Sequence, residues 1–248
     1  MNNLFRTLKH EAKELSSRKR PQFYTSFSPE LSYSREIFFD HPLVLRLAED
    51  VIPLLNDDFG HGIEHSKHVA IEGGAIILAE SNLNRMQTYR HLVLLVQLSG
   101  LLHDICRLEP EHALQAGQLS RKILSDFPLS DRDKGMIQFA IENHEAFKLE
   151  KAPPDALTAL VSGALYDADK FRWGPDNFVT TLWEICDYQD WSLERIVDVF
   201  PRGLEIIESI SETFRTQTGR FYGPEFIDIG LEVGHYLYRR MKRLSEER

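Results

Sequence analysis

Cysteine is scarce in this chain: only Cys106 and Cys186 occur among 248 residues, far apart and without the spacing of a CxxC pair. This pattern excludes a zinc site built from cysteine thiolates and is typical of proteins that work in a reducing compartment. The first twenty residues also lack the apolar segment that a secretory signal requires. We therefore expect a cytoplasmic protein.

Positively charged residues are also few: the chain has 29 Lys and Arg residues against 38 Asp and Glu residues, and its formal net charge is −9. A negative surface disfavours general binding to nucleic acids and anionic membranes. The mostly apolar run at residues 92–102 spans eleven positions, too few to cross a bilayer as a helix. We expect no nucleic-acid and no membrane partner. An anionic substrate would need a local positive field from metal ions or from a few Lys and Arg side chains.

Hydrophobic residues make up 42% of the chain, which is enough for a substantial core. They follow a helical period nearly throughout, and the sequence therefore predicts an all-α fold. We expect helices at about 1–20, 42–56, 61–81, 85–104, 110–126, 131–147, 154–172, 175–188, 192–212 and 224–246. Ser130 is expected to cap the helix at 131–147, with Asp133 three residues on. The segment 21–40, rich in aromatic residues and serine, is expected to be irregular.

A histidine–aspartate pair, His103-Asp104, ends the apolar run at 92–102. A carboxylate beside an imidazole is costly to bury unless a charge compensates it. The C-terminus of a helix adds partial negative charge to that of Asp104, so a cation is the natural partner. A core histidine that hydrogen-bonds to its neighbour fits a single pair as well, and other residues have to decide between these interpretations.

Three histidines share one face of the helix expected at 61–81. His61, His65 and His68 follow one another at i, i+4 and i+7, and an i, i+4 pair can chelate a metal ion unaided. Such pairs are also often solvent-facing and inert. At least one of the three should point inward, because Ile71 follows His68 on the same side.

Two more histidines lie on separate helices. His144 continues the apolar stripe of its helix, a position that fits a core histidine as well as a ligand. His112 lies in the first turn of the helix expected at 110–126, only eight residues after Asp104. The turn between them is short enough to bring His112 back beside the His103-Asp104 pair.

A carboxylate ends the apolar face of the helix expected at 154–172. Three apolar residues precede Asp169 at intervals of four: Leu157, Val161 and Leu165. This spacing places Asp169 on the buried face of the helix. Asp167 points about 200° away around the helix, so the two carboxylates cannot both reach one ion directly. We expect Asp169 to be a ligand, and Asp167 either to cap or orient or to be a solvated carboxylate.

Several helices thus end or turn with a His or Asp on their apolar side. Imidazole and carboxylate ligands without thiolate suit a divalent ion such as iron, manganese, zinc, cobalt or magnesium. The coincidence of these placements favours a metal site over a set of separate core histidines. The residue types leave the identity of the ion open.

Three short motifs give the chain a family resemblance. Residues 61–69 read HGIEHSKHV, residues 101–105 read LLHDI, and residues 167–170 read DADK with Gly174-Pro175 following. In this order they resemble the signature of the HD-domain superfamily of metal-dependent phosphohydrolases. The resemblance covers roughly residues 42–190 and implies an HD-domain helical bundle there. An N-terminal extension at 1–41 and C-terminal helices at 191–248 that pack on the core would complete the chain.

The same resemblance implies a ligand set. His112 in EHALQAG and His144 in AIENHE look like the two extra histidines of dinuclear members. The first ion would be held by His65, His103, Asp104 and Asp169, and the second by Asp104, His112 and His144, with Asp104 bridging. The short loop between Asp104 and His112, and the lack of the Gly-Tyr-Pro motif of cyclic-di-GMP-specific members, argue against a cyclic-dinucleotide substrate.

The implied activity is hydrolysis of a nucleotide or small phosphate ester or anhydride by metal-activated water, with one or two divalent ions as cofactor. Asp104 is expected to be catalytic, Lys170 to contact the phosphate, and His61 to act as general acid or substrate contact. Lys67 and Arg107 are further candidates for phosphate contacts. A di-iron oxygenase on the same fold and a non-catalytic nucleotide-sensing module are the alternatives, and the oligomeric state is left open.

Overall fold

The computed structural model describes residues 3–55, 62–81, 86–149 and 151–247. Within these ranges the chain forms twelve α-helices and no β-strand, which confirms the predicted all-α class. The helices are α1 Asn3–Ser16, α2 Phe23–Ser26, α3 Ser28–Asp40, α4 Pro42–Val51, α5 Ile63–Ala79, α6 Met86–Leu102, α7 His112–Ile123, α8 Asp131–Glu142, α9 Ala156–Phe171, α10 Leu182–Tyr188, α11 Leu193–Ser209 and α12 Gln217–Glu246. A π-helical turn, Asn177–Thr181, leads directly into α10.

None of the helices in the described ranges is both long enough and apolar enough to cross a bilayer. The predicted cap of α8 is confirmed, since the Ser130 side chain accepts from the Asp133 backbone N–H and Asp133 completes the capping box. Several helices are shorter than predicted. The helix expected at 131–147 ends at Glu142, and the helix expected at 110–126 begins at His112 and gives way to a 3₁₀ turn at Leu124–Asp126.

The prediction that residues 21–40 are irregular is wrong, because α2 and α3 occupy most of this segment. The buried stripe of α3 consists of Ser34 and Phe38 alone, too little for a helical period to show in the sequence. Tertiary contacts supply what the pattern lacks: the Ser34 hydroxyl donates to the Ile71 carbonyl of α5, and the Gln97 amide of α6 donates to the Ser34 carbonyl. Such contacts override weak local preference.

Helices α5 and α6 form the central pair of the fold and pack against each other along much of their length. A Cβ atom at Gly100 would lie 2.8 Å from the backbone of Ala70, so only glycine permits this close approach. Helices α3 and α9 flank α5, and α8 flanks α6. The close packing therefore brings together the ends of the helices that carry the predicted ligands.

The terminal helices share the core of the central ones. Helix α1 packs on the π-helical turn and on α12. The ring centroids of Phe5 in α1 and the fully buried Trp183 in α10 lie 6.0 Å apart. Helix α12 packs on α9 and α11, and Phe226 stacks on Phe171 with centroids 4.1 Å apart. This packing fixes the C-terminal end of α9, where Asp169 lies.

Candidate metal centre

The six predicted ligands come from five places in the chain, most of them at helix ends. They are His65 in α5, His103 and Asp104 directly after α6, His112 at the start of α7, His144 two residues after α8, and Asp169 near the end of α9. The structure brings all six side chains together at one end of the bundle, where they form two groups that could each hold an ion.

The first group consists of His65, His103 and Asp169, all of them buried. The Nε2 atom of His65 lies 3.2 Å from that of His103 and 3.3 Å from Oδ1 of Asp169. The Nε2 atom of His103 lies 3.9 Å from the same carboxylate oxygen. Three potential ligand atoms from three helical elements thus face one point.

The second group consists of Asp104, His112 and His144. Oδ1 of Asp104 lies 3.6 Å from Nε2 of His144 and 3.9 Å from Nε2 of His112. Asp104 and His144 are buried, whereas the His112 side chain keeps 14% of its surface exposed.

Asp104 faces both groups with different oxygens. Its Oδ2 atom lies 3.4 Å from Nε2 of His103 and 3.8 Å from Nε2 of His65, while Oδ1 faces the two histidines of the second group. A carboxylate in this position can contribute one oxygen to each of two neighbouring ions.

Backbone carbonyls determine which nitrogen carries the proton in two of the histidines. His103 donates from Nδ1 to the Gly100 carbonyl at 2.8 Å, and His144 donates from Nδ1 to the Ile141 carbonyl at 2.7 Å. A carbonyl only accepts, so Nδ1 carries a proton in each ring, and in the neutral form of the ring Nε2 then has a free lone pair. These carbonyls belong to the last turns of α6 and α8, where helices leave acceptors unsatisfied.

The charges in the first group favour metal binding. Burial lowers the pKa of His103 to about 3, so its ring is neutral near pH 7. Burial alone would raise the pKa of Asp169, but the charge of Lys170, together with the contributions of His65 and His103, holds this pKa well below its usual range. Lys170 donates to Oδ2 of Asp169, which leaves Oδ1 toward the histidines.

The donor set fits a divalent cation. The unprotonated Nε2 atom of His103 faces Oδ2 of Asp104 at 3.4 Å. Lone pairs that face each other this closely in a buried site repel unless a cation lies among them. The buried His and Asp groups could therefore hold one or two divalent ions, and imidazole and carboxylate ligands leave the metal open.

A cavity of about 930 Å³ opens onto both groups and is lined by His65, His112, His144 and Asp169. Three cationic side chains, Arg107, Lys170 and Arg172, share its wall. Arg107 is the most exposed of them and lies 3.8 Å from Oδ1 of Asp104. The site therefore combines a cluster of potential metal ligands with positive charge that an anionic substrate requires.

Arg172 is the cation that the sequence interpretation missed. It follows Asp169 by one helical turn and donates to the nearby Asp176. Its other two partners, Glu72 of α5 and the Tyr24 hydroxyl, lie far away in the chain. Burial alone would lower the pKa of Arg172, but Glu72, Tyr24 and Asp176 together raise it well above its usual value and keep the guanidinium charged. Only the spacing from Asp169 was visible in the sequence, and it does not reveal the buried Glu72.

The remaining predicted residues have varied positions. His61 lies outside the described residues. Lys67 donates to Glu64 on its own helix and does not line the cavity, whereas the exposed His68 does. Asp167 is turned away from the ligands, as its helical phase predicted.

Asp167 orients the start of α12 from a fully buried position, so the interpretation as a solvated carboxylate is wrong. It accepts from the backbone N–H groups of Arg215 and Thr216 and from the Thr216 hydroxyl. Burial raises the pKa of Asp167 to about 6, against the lowering effect of these hydrogen bonds.

No protein-family model, no curated protein and no solved structure matches this chain.

Proposed function

We propose that this protein is a metal-dependent phosphohydrolase of the HD type. The proposal rests above all on the buried Asp104, which directs Oδ2 to the first histidine pair and Oδ1 to the second. The motif order in the sequence supports it independently. The first ion would be held by His65, His103, Asp104 and Asp169, and the second by Asp104, His112 and His144.

Divalent ions bound there would activate a water molecule near neutral pH and neutralise phosphoryl oxygens. The chain's own residues prepare the site for this chemistry. The Gly100 and Ile141 carbonyls orient His103 and His144, and Lys170 orients Asp169. Such outer contacts hold ligands in place and tune their basicity.

Three cations would receive the substrate's phosphate. Arg172 is fixed by Glu72 and Asp176 and presents a permanent charge to the cavity. Lys170 lines the same wall beside the rings of Tyr166 and Trp173, and Arg107 lies at the more exposed side. A planar guanidinium can bind two phosphate oxygens at once, which suits both arginines to this role.

The test is phosphate release by the purified full-length protein after incubation with Mn²⁺, Fe²⁺, Co²⁺, Zn²⁺ or Mg²⁺. Nucleoside monophosphates, a dinucleoside polyphosphate and simple alkyl phosphates would be offered under strictly anaerobic conditions. We expect metal-dependent release from at least one class, and none from Asp104→Asn. His91→Gln is the matched control, because His91 pairs with Asp133 on the surface, away from the cavity.

Two results would contradict the proposal. Phosphate release that is unchanged in Asp104→Asn would remove the metal groups from the chemistry. Dioxygen consumption by the iron-loaded protein with a polyol or phosphonate, without any anaerobic phosphate release, would instead indicate an oxygenase.

A further inference from the structure

A second, apolar groove of about 280 Å³ adjoins the cavity beside the two groups of potential metal ligands. Its walls come from the π-helical turn, α10 and α11, and they are formed mostly by aliphatic and aromatic side chains. Four residues line both spaces: Trp173, Asn177, Thr181 and Ile185. The groove is thus continuous with the space in front of the metal ligands.

One face of α11 forms the far wall of the groove. Ile196, Val199, Gly203 and Ile206 follow one another at intervals of three and four residues and therefore share a side of the helix. Ile206 is 39% exposed, although it is a large aliphatic residue with apolar neighbours. The α11 wall therefore presents apolar surface to an open space.

Gly203 widens the groove at its middle. A Cβ atom placed there would meet nothing within 4 Å, whereas at Gly230 and Gly234 of α12 it would meet other atoms at 2.5 Å. The glycines of α12 permit close packing, but Gly203 leaves room. A glycine within a helix costs stability relative to alanine, and at Gly203 the missing side chain does not serve close packing.

We propose that the groove binds the apolar tail of the substrate, whose phosphate lies at the metal groups. This inference rests on the proposed function and names its substrate class: an amphiphilic phosphate ester with an alkyl, acyl or prenyl chain. The cavity supplies charge for the head, and the groove supplies apolar surface for the tail. A nucleobase or sugar fits this groove poorly, because its polar edges would lack hydrogen-bond partners along most of the lining.

The first test is the turnover of a series of n-alkyl phosphates from methyl to decyl, kept below their micellar concentrations. Each methylene group that enters an apolar site improves binding by about fourfold. We expect kcat/KM to rise by about this factor per methylene until the groove is filled. Gly203→Leu should flatten the rise and lower kcat/KM far more for decyl phosphate than for methyl phosphate. Gly203→Ala, which adds one methyl group, should keep most of the rise with chain length.

Ile206→Ser provides a second variant that does not depend on filling Gly203. Its side chain is exposed, so folding should persist, and it should also weaken the dependence on chain length. A flat chain-length series in the wild-type protein would overturn the inference while phosphate release still supports the hydrolase. Equal losses for methyl and decyl phosphate in Gly203→Leu would also overturn it.

A binding measurement separates the two proposals if no phosphate is released. Decyl phosphonate and methyl phosphonate, which resist hydrolysis, would be titrated while tryptophan fluorescence is recorded, because Trp173 and Trp191 line the groove. We expect decyl phosphonate to bind more tightly and to change the emission, and Gly203→Leu to abolish this advantage. Equal affinity for both phosphonates would overturn the groove assignment, whatever the activity.

Discussion

The two groups of potential metal ligands beside the cavity differ in burial and in how firmly their side chains are fixed. His65, His103 and Asp169 are all buried, and Lys170 and the Gly100 carbonyl hold two of them from behind. In the second group, His112 is the first residue of α7, follows Glu111 in the left-handed conformation, and is partly exposed. Glu145, which lies 3.8 Å from its Nδ1 atom, is itself partly exposed.

This difference indicates how the two sites should behave. A preorganised, buried site binds an ion with little loss of side-chain conformational entropy, because its ligands are already ordered. A site at the rim loses more entropy, because a less constrained side chain has to be fixed. We therefore expect a tightly held ion in the first group and a more weakly held, exchangeable ion in the second. Asp104 links the two groups.

The largest effect is expected from Asp104→Asn, which removes the charge that both groups share. The amide has almost the same volume, so the fold should persist. Turnover should fall to the level of buffer, and the affinity for divalent metal should drop in both groups. Atomic emission analysis of the dialysed protein and phosphate release measure these effects, with His91→Gln as control. If Asp104→Asn retained both ions, Asp104 would not be the ligand that the two groups share.

His112→Gln should separate the groups. We expect it to abolish the weaker phase of a calorimetric Mn²⁺ titration and leave the tighter phase in place, because His112 belongs to the second group only. His65→Gln should abolish the tighter phase. The comparison fails if both variants remove the same phase.

The clustering of the six side chains could be predicted because its signals are local. The short motifs singled out His65, His103, Asp104, His112 and His144, and helical phase separated Asp169 from Asp167. Their role as metal ligands stays a prediction. The role of Arg172 was not predictable, since its partner Glu72 lies one hundred residues away in the sequence. Helix α3 was missed for a related reason, because its buried stripe is short and polar.

The hydrophobic period of the sequence also did not predict where the helices end. The apolar stripe of α8 continues to His144, yet the helix ends at Glu142 and Phe147 adopts a positive φ of 62°. The end of this helix matters for the site, because it lets the His144 ring donate to the Ile141 carbonyl. Periodicity places a residue on a face but does not show where the backbone leaves the helix.

A smaller effect is expected from Lys170→Met, which removes the cation behind Asp169 and keeps a side chain of similar length. Loss of such an outer contact typically weakens metal binding by about 10- to 100-fold. The loss should appear in the tighter titration phase only. Lys67→Met is the matched control, since Lys67 pairs with the exposed Glu64 and surface pairs contribute little. Equal losses in both phases would show that Lys170 does not act through Asp169.

The smallest effect on the site is expected from Gly100→Ala, which acts on the helix pair that presents the first group. The added methyl group would lie 2.8 Å from the Ala70 backbone, and such overpacking costs about 1–3 kcal/mol of unfolding free energy. Gly135→Ala in α8 is the control, because the nearest atom lies at 3.9 Å and the change should stabilise slightly. Urea denaturation of the apoprotein measures both. No destabilisation in Gly100→Ala would remove the packing argument.

Anomalous diffraction from crystals grown with Zn²⁺ tests the central claim most directly. The account predicts two peaks in the cavity, one at about 2.0–2.2 Å from Nε2 of His65 and His103 and a carboxylate oxygen of Asp169, the other at the same distance from Nε2 of His112 and His144. Both peaks should touch Asp104, through different oxygens. A cavity without a peak, or ions bound only elsewhere on the protein, would contradict it.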